Sequence, residues 1–130
     1  MKAEEALRSG DLSNALSDLQ NRIKKDPADA KLRVFLFQLL AVLGNWERAL
    51  VQLNVAGELD AANLAMVNTY REALHCEALR GHVFSGERKP LVFGEPGQWM
   101  ALILEALRLS AQGCTEESQG LRARALEQAE

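Results

Sequence analysis

GDLSNALSDLQNRIKKD, residues 10–26, and GNWERALVQLNVAGELD, residues 44–60, lie 34 positions apart and match in register. Gly10, Leu12, Ala15, Leu16, Leu19 and Asp26 fall on Gly44, Trp46, Ala49, Leu50, Leu53 and Asp60. Each shared position has a structural reason. Glycine at 10 and 44 stops one helix and opens the turn to the next, because it enters the left-handed backbone region without steric cost. Ala15 and Ala49 are small where two antiparallel helices approach closely, and Leu12 and Trp46 are the bulky residues that fill the space beside them. Asp26 precedes Pro27. That pair is expected to end one hairpin and start the next, since proline disfavours helix in the residue before it and suits the first helical position. Asp60 repeats the acid without the proline.

A 34-residue period is that of the tetratricopeptide helical hairpin, so a scaffold for binding other proteins is a better first reading than an enzyme. The expected fold is all-α, with stacked helical hairpins, about seven helices and one irregular segment near residues 85–98. A first helix is read over about Lys2 to Ser9, closed by Gly10. A second is read over Leu12 to Lys25, with Leu12, Ala15, Leu16, Leu19 and Ile23 on one face. Lys24 and Lys25 sit in its last turn, where cations oppose the helix dipole favourably. The third, Asp29 to Leu43, carries apolar residues round nearly its whole circumference, so it is buried all round or presents one face to a partner. Trp46 to about Glu58 makes the fourth, and Asp60 is read as the N-cap of a long fifth helix reaching about Phe84.

The 34-residue register is lost in that helix. Ser85 to Gln98, SGERKPLVFGEPGQ, is punctuated by Gly and Pro and cannot be one helix. Its PLVF is expected to lie extended against the helices, and Glu95 to cap the helix that follows. Trp99, Leu102, Ile103, Ala106 and Leu107 form one apolar stripe, Gly113 ends that helix, and Thr115 is read as the cap of a last one. The chain thus reads as a single helical-repeat domain over 1–130: two in-register hairpins (1–60), a long helix (61–84), the irregular segment (85–98) and a third, degenerate hairpin (99–130).

Composition agrees with an ordinary globular protein: 130 residues, 48% hydrophobic and 25% charged, enough to bury a core without staples. The net charge of -3, with Arg and Lys scattered among acids, gives no footprint for nucleic acid. Cys76 and Cys114 lack CxxC spacing and read as reduced thiols. MKAEEALRSG holds no apolar run of signal-peptide length, and Val34 to Leu43, broken by Gln38, is only about half the roughly 20 residues that cross a bilayer. The expectation is a cytoplasmic protein that uses no membrane.

No catalytic or metal constellation emerges. His75 and His82 stand seven apart beside Cys76, which is not a zinc spacing, and His75 and Cys76 as helical neighbours point about 100 degrees apart, unlike a nucleophile and its base. The turn Gly94 to Pro96 lacks the glycines and lysine of a phosphate loop. Glu4, Glu5, Glu116 and Glu117 read as first-turn or solvated charges. The expectation is a non-enzyme with no cofactor. What remains are residues suited to binding a protein. Leu36, Phe37 and Leu40 are either the central core or anchors of a groove for an apolar helix. Gln38, a lone amide among leucines, is either buried with satisfied hydrogen bonds or a groove contact. Tyr70, Arg71 and Leu74 lie on the next element, where the first helices of successive hairpins would make a concave surface, and Tyr and Arg are enriched in binding hot spots.

LRVFLFQLLAVLGNWERALVQL (32–53), MVNTYREALHCEALRGHVFSGERKPLVFGEP (66–96), the following Trp99 and the opening AEEALRSGDLSNAL together resemble the ImpE/TagJ family of type VI secretion accessory proteins. The resemblance covers essentially the whole chain. It implies a cytoplasmic accessory of a contractile secretion apparatus that associates with the small sheath subunit (TssB/VipA) and through it influences sheath handling, including recycling by the ClpV unfoldase. Members of that family are commonly longer, and this chain corresponds to their N-terminal helical part. On this reading an amphipathic helix of the sheath subunit buries apolar anchors against Leu36, Phe37 and Leu40, while Gln38, Tyr70 and Arg71 fix its direction. The alternative is a self-associating structural domain whose apolar faces pair in a homodimer.

Overall fold

The computed structural model describes residues 2–129, and among these there are seven α-helices, one 3-10 turn and no strand. The helices are α1 (Lys2–Arg8), α2 (Leu12–Lys25), α3 (Ala30–Val42), α4 (Trp46–Leu59), α5 (Leu64–Phe84), α6 (Gln98–Ala111) and α7 (Thr115–Gln128), with the 3-10 turn at Ala61–Asn63. The contacts divide the chain within α5, into one unit ending at Glu77 and a second beginning at Ala78. The sequence, with its fifth helix read as continuous, carries no mark of that division.

Glycine closes the hairpins. Gly10, Gly44 and Gly113 have φ of 78°, 72° and 81°. At Gly44 its own N–H donates to the Ala41 carbonyl at 3.0 Å and the next N–H, of Asn45, donates to Leu40 at 2.8 Å. These two bonds satisfy carbonyls that the end of α3 leaves open and reverse the chain into α4. The same pair of bonds recurs around Gly10 and Gly113. Helix starts are capped by acids: Asp11 accepts from the Asn14 N–H, Asp29 from those of Lys31 and Leu32, and Asp60 from that of Ala62. Two expected caps are absent. Thr115 is the first residue of α7, and its hydroxyl lies 3.5 Å from the Gly113 carbonyl, while Glu95 precedes the N-cap residue of α6, Gly97, by two positions without capping the helix. Pro27 does not start α3. It lies in the turn before it, where its carbonyl accepts from the Arg33 guanidinium, which also donates to Gln52 on α4 at 2.9 Å.

In the first unit α1 packs on α2, α2 on α3 and α3 on α4. Ala15 and Ala49 are fully buried, as their size predicts, and Leu19, Leu40, Leu53 and Val67 are the largest side chains wholly removed from water. Burying each such leucine contributes roughly 1.5–3 kcal/mol, so α3 with Leu32, Leu36, Phe37, Leu39 and Leu40 inside is the centre of this core. The second unit is built differently. Among its described residues only Ala106, Ser118 and Ala125 are buried, and no large apolar side chain is. Alanine on each helix brings α6 and α7 close enough for the Ser118 hydroxyl to donate to the Ala106 carbonyl at 2.6 Å. The PLVF stretch is neither helix nor strand, and Leu91 and Phe93 are 78% and 88% exposed rather than laid against the helices.

Two glycine substitutions of opposite sign test this account. Gly44→Ala forces a side chain into the left-handed region and is expected to cost about 1 kcal/mol. Gly120→Ala, inside α7 with open space around it, is expected to stabilise by about 0.5–1 kcal/mol. Urea denaturation measures both. Ser118→Ala removes the helix-to-helix bond and is expected to lower stability by roughly 1 kcal/mol in the same experiment.

Candidate protein-interaction surfaces

The residues read from the sequence as binding a partner divide into two groups. Leu36, Phe37, Leu40 and Leu74 are buried in the core of the first unit. Gln38 is exposed, Tyr70 is 48% exposed and Arg71 is half-buried. Gln38 is therefore not a buried amide in need of internal partners. The Tyr70 ring, on α5, stands 5.7 Å from the Phe37 ring of α3 with the planes tilted by 49°, an arrangement that places a phenol beside the α3 surface. Arg71 points elsewhere. Its Nε and Nη2 both donate to Asn54 Oδ1 on α4 at 3.3 Å, so its charge is tethered to the neighbouring helix.

Helical spacing explains the least buried face of α3, in which Val34 and Ala41 still pack partly against the core. Val34, Gln38, Ala41 and Val42 stand at i, i+4, i+7 and i+8, one stripe of the cylinder, and their exposure runs from half-buried to 71% at Val42. An all-round apolar helix thus has its core face filled by leucines and phenylalanine and still shows water a mostly apolar stripe with one amide in it. Sequence reading singled out Gln38 but missed Val34, Ala41 and Val42. The stripe was written in the spacing of those residues from Gln38, on the side away from Leu36, Leu39 and Leu40.

The histidine and cysteine weighed from the sequence are surface groups. His75 lies 4.0 Å from Glu72, both well exposed, and Cys76 is an exposed free thiol. Among the described residues no group of three His, Cys, Asp or Glu stands close enough to hold a metal ion, and no helix is long and apolar enough to cross a membrane.

The second unit carries a cleft of about 460 Å³ between the 86–96 segment and α6. Val83, Pro90, Pro96, Ala101, Leu104 and Leu107 give it an apolar lining, and Glu87, Arg88, Lys89, Glu105 and Arg108 stand around it. Gly86, at φ 81°, turns the chain out of α5 into this wall. A Cβ there would meet the Ala111 Cβ at 2.9 Å, so only glycine admits so close a passage. Glu87 binds His82 Nδ1 at 2.7 Å, and its carboxyl titrates below its ordinary value chiefly because of that hydrogen bond, with Ser85 adding to it. Glu105 is likewise lowered, first by its hydrogen bond from Arg108, whose Nε lies 2.9 Å away, and Arg108 is raised by the same contact.

Residues 6–73 match the tetratricopeptide repeat family. Over 129 residues, 99% of this chain and 46% of the relative, the sequence is 52% identical to the type VI secretion system accessory component TagJ of Pseudomonas aeruginosa. The resemblance drawn from the FLFQLL, NWERAL and PLVFGEP stretches agrees with that identity. Lipase chaperones from two strains of Vibrio vulnificus are 34% identical over 82 residues, 63% of this chain and 28% of theirs. The chain spans less than half the length of each of these curated relatives.

The cleft's electrostatics are testable by titration. Because the folded-state pKa of Glu105 is depressed, its bond to Arg108 is present above the ordinary carboxylate value of 4.5 and is lost as pH falls through the lower folded value. NMR titration of the side-chain carboxyl carbons is expected to place the Glu105 midpoint below 4.5, and Arg108→Gln to move it upward. A midpoint unmoved by that substitution would contradict the assigned cause.

Proposed function

The chain belongs to the tetratricopeptide repeat family, and from that premise we propose that it acts without catalytic chemistry, as a protein-interaction adaptor of a type VI secretion system. The observation that carries the proposal is the outward stripe of α3. Gln38 and Val42 face water there, flanked by the partly buried Val34 and Ala41, on a helix whose opposite face already holds the core together, and the half-exposed Tyr70 ring packs on Phe37 of the same helix. Such a face suits the helix-in-groove mode, in which a partner helix lays down anchors spaced three and four apart. The extensive identity to TagJ supports placing the chain in this secretion system, and the family resemblance supports the small sheath subunit (TssB/VipA) as partner, with influence on ClpV recycling passing through that subunit. This assignment places the protein in the cytoplasm.

Within this reading Gln38 and Tyr70 touch the partner directly. The amide gives direction through hydrogen bonds to partner backbone, and the phenol combines apolar area with one donor. Arg71, held by Asn54, borders the site on the α4 side. Leu36, Phe37, Leu40 and Leu74 are its packed floor. Swinging a buried Leu or Phe outward would forfeit about 1.5–3 kcal/mol of burial, so they act by holding α3 and α5 rigid.

Isothermal titration with a synthetic N-terminal helix of the sheath subunit tests partner and site together. Val42→Asp lies at a solvated position and is expected to weaken binding about tenfold without unfolding the protein, a loss of roughly 1.4 kcal/mol. Gln38→Ala combined with Tyr70→Ala is expected to weaken it further. Undiminished binding in these variants removes the site from α3 and α5. An absence of binding in the parent protein removes the partner. Light scattering that finds a dimer at low micromolar concentration, dispersed by Val42→Asp, would instead assign the stripe to self-association.

A further inference from the structure

Glu117, Gly120, Leu121 and Arg124 stand at i, i+3, i+4 and i+7 along α7, so they share one face of that helix. With Leu109 of α6 they line a groove of about 400 Å³. A different side of α7 closes the hairpin, where Ser118 and Ala125 are buried and the Ser118 hydroxyl reaches the Ala106 carbonyl. Glycine weakens a helix interior and is kept where a positive φ or a close neighbour demands it. Gly120 has neither reason within the chain: its φ is not among the positive ones, and nothing lies within 4 Å of where a Cβ would stand. A close approach from outside the chain supplies the missing one.

The charges on this face say what approaches. Glu117 and Arg124 are both exposed and have no hydrogen-bond or ion-pair partner among the described residues. Seven residues of helix separate them by about 10.5 Å, too far to pair with each other in one copy. They are equally distant, with opposite signs, from the midpoint between Gly120 and Leu121. An antiparallel two-fold contact of α7 with a second α7 about that midpoint therefore sets Glu117 of each copy opposite Arg124 of the other, twice. The same register sets Leu121 of each copy at Gly120 of the other, a side chain against the one position on the face that has none. Glu116 falls opposite Ala125, Arg122 opposite Gln119 and Glu127 opposite Cys114, so no like charges are opposed.

We propose that this face of α7 is a self-recognition surface, separate from the α3 face, through which two copies of the chain pair antiparallel about Gly120 and Leu121. An isologous contact needs a patch complementary to itself, and this one is so in both charge and shape. Its size sets its strength. One helix of 14 residues, about 21 Å long, buries less than the roughly 800 Å² per partner of a stable complex, so the pairing is weak and concentration-dependent. Each copy brings its own α3 face, which makes the pair bivalent toward a partner that repeats. That consequence rests on the function proposed above, whereas the dimer itself does not.

Sedimentation equilibrium of the 130-residue protein from about 10 µM to about 1 mM tests the contact. A monomer–dimer equilibrium is expected within that range. Glu117→Arg alone and Arg124→Glu alone each turn both attractive pairs repulsive and are expected to weaken pairing at least about tenfold. An equimolar mixture of those two proteins is expected to dimerise again, because each then meets the opposite charges at both positions, and this rescue excludes misfolding as the cause of the single losses. Gly120→Gln fills the groove and is expected to weaken pairing about tenfold, while Val42→Asp, in the first unit, leaves it unchanged. A protein monomeric throughout the range overturns the proposal. So does a dimer insensitive to the Glu117, Gly120 and Arg124 substitutions, which would place self-association on another face, and so does a mixture of the two charge variants that stays monomeric.

Discussion

Two helices fold back on each other only where the chain can reverse within a few residues and where the facing surfaces are flat enough to meet. Both conditions are met here by very small residues. Glycine at 10, 44 and 113 takes the left-handed conformation that redirects the backbone and brings two N–H groups onto open carbonyls of the finished helix. Alanine at 15, 49, 106 and 125 is buried where helices approach. Hairpins in both units rest on this combination, and the larger side chains fill whatever space it leaves.

The consequence for function lies in α3. A helix at the centre of a hairpin stack has neighbours on most of its circumference, and the leucines and phenylalanine at 36, 37, 39 and 40 are taken up by them. What is left over is a narrow stripe in which Val34 and Ala41 still pack partly against the core while Gln38 and Val42 face water. It is the face to which the proposed partner contact is assigned, with the Tyr70 ring packed on Phe37 of the same helix. The second unit solves its folding problem with less burial, through an alanine contact and one buried serine hydrogen bond, and it leaves more apolar surface in water.

Local chemistry was readable wherever a single residue decides a conformation. Gly44 and the span of α2 are where spacing and capping place them, whereas Asp60, read as the cap of the fifth helix, caps the 3-10 turn Ala61–Asn63 and α5 begins only at Leu64. The misreadings have a common cause, which is that a residue's neighbours in space decide its role. Glu95 is an acid before a helix, yet the helix begins at Gln98 and the carboxylate falls too early to cap it. Pro27 is a helix starter by type, but Asp29 caps α3 first. PLVF is apolar enough to pack, and the turn at Gly86 carries it along a cleft wall with Leu91 and Phe93 facing outward. Gln38 was visible as an anomaly. Which way it faced was not, because an apolar residue on every side hides the direction of the core.

The sequence by itself determined the helical hairpins, their turns and their small-residue contacts, since each follows from interactions among residues a few positions apart. Its 34-residue period and its resemblance pointed toward a protein-binding scaffold. Only the tertiary structure decided which side of α3 is filled and which is free, that Arg71 is tied to Asn54 while Tyr70 leans on Phe37, and that an apolar-lined cleft opens beside α6. Exposure is a property of what packs against a residue, and for α3 and the 86–96 segment that packing comes from side chains the local pattern does not name.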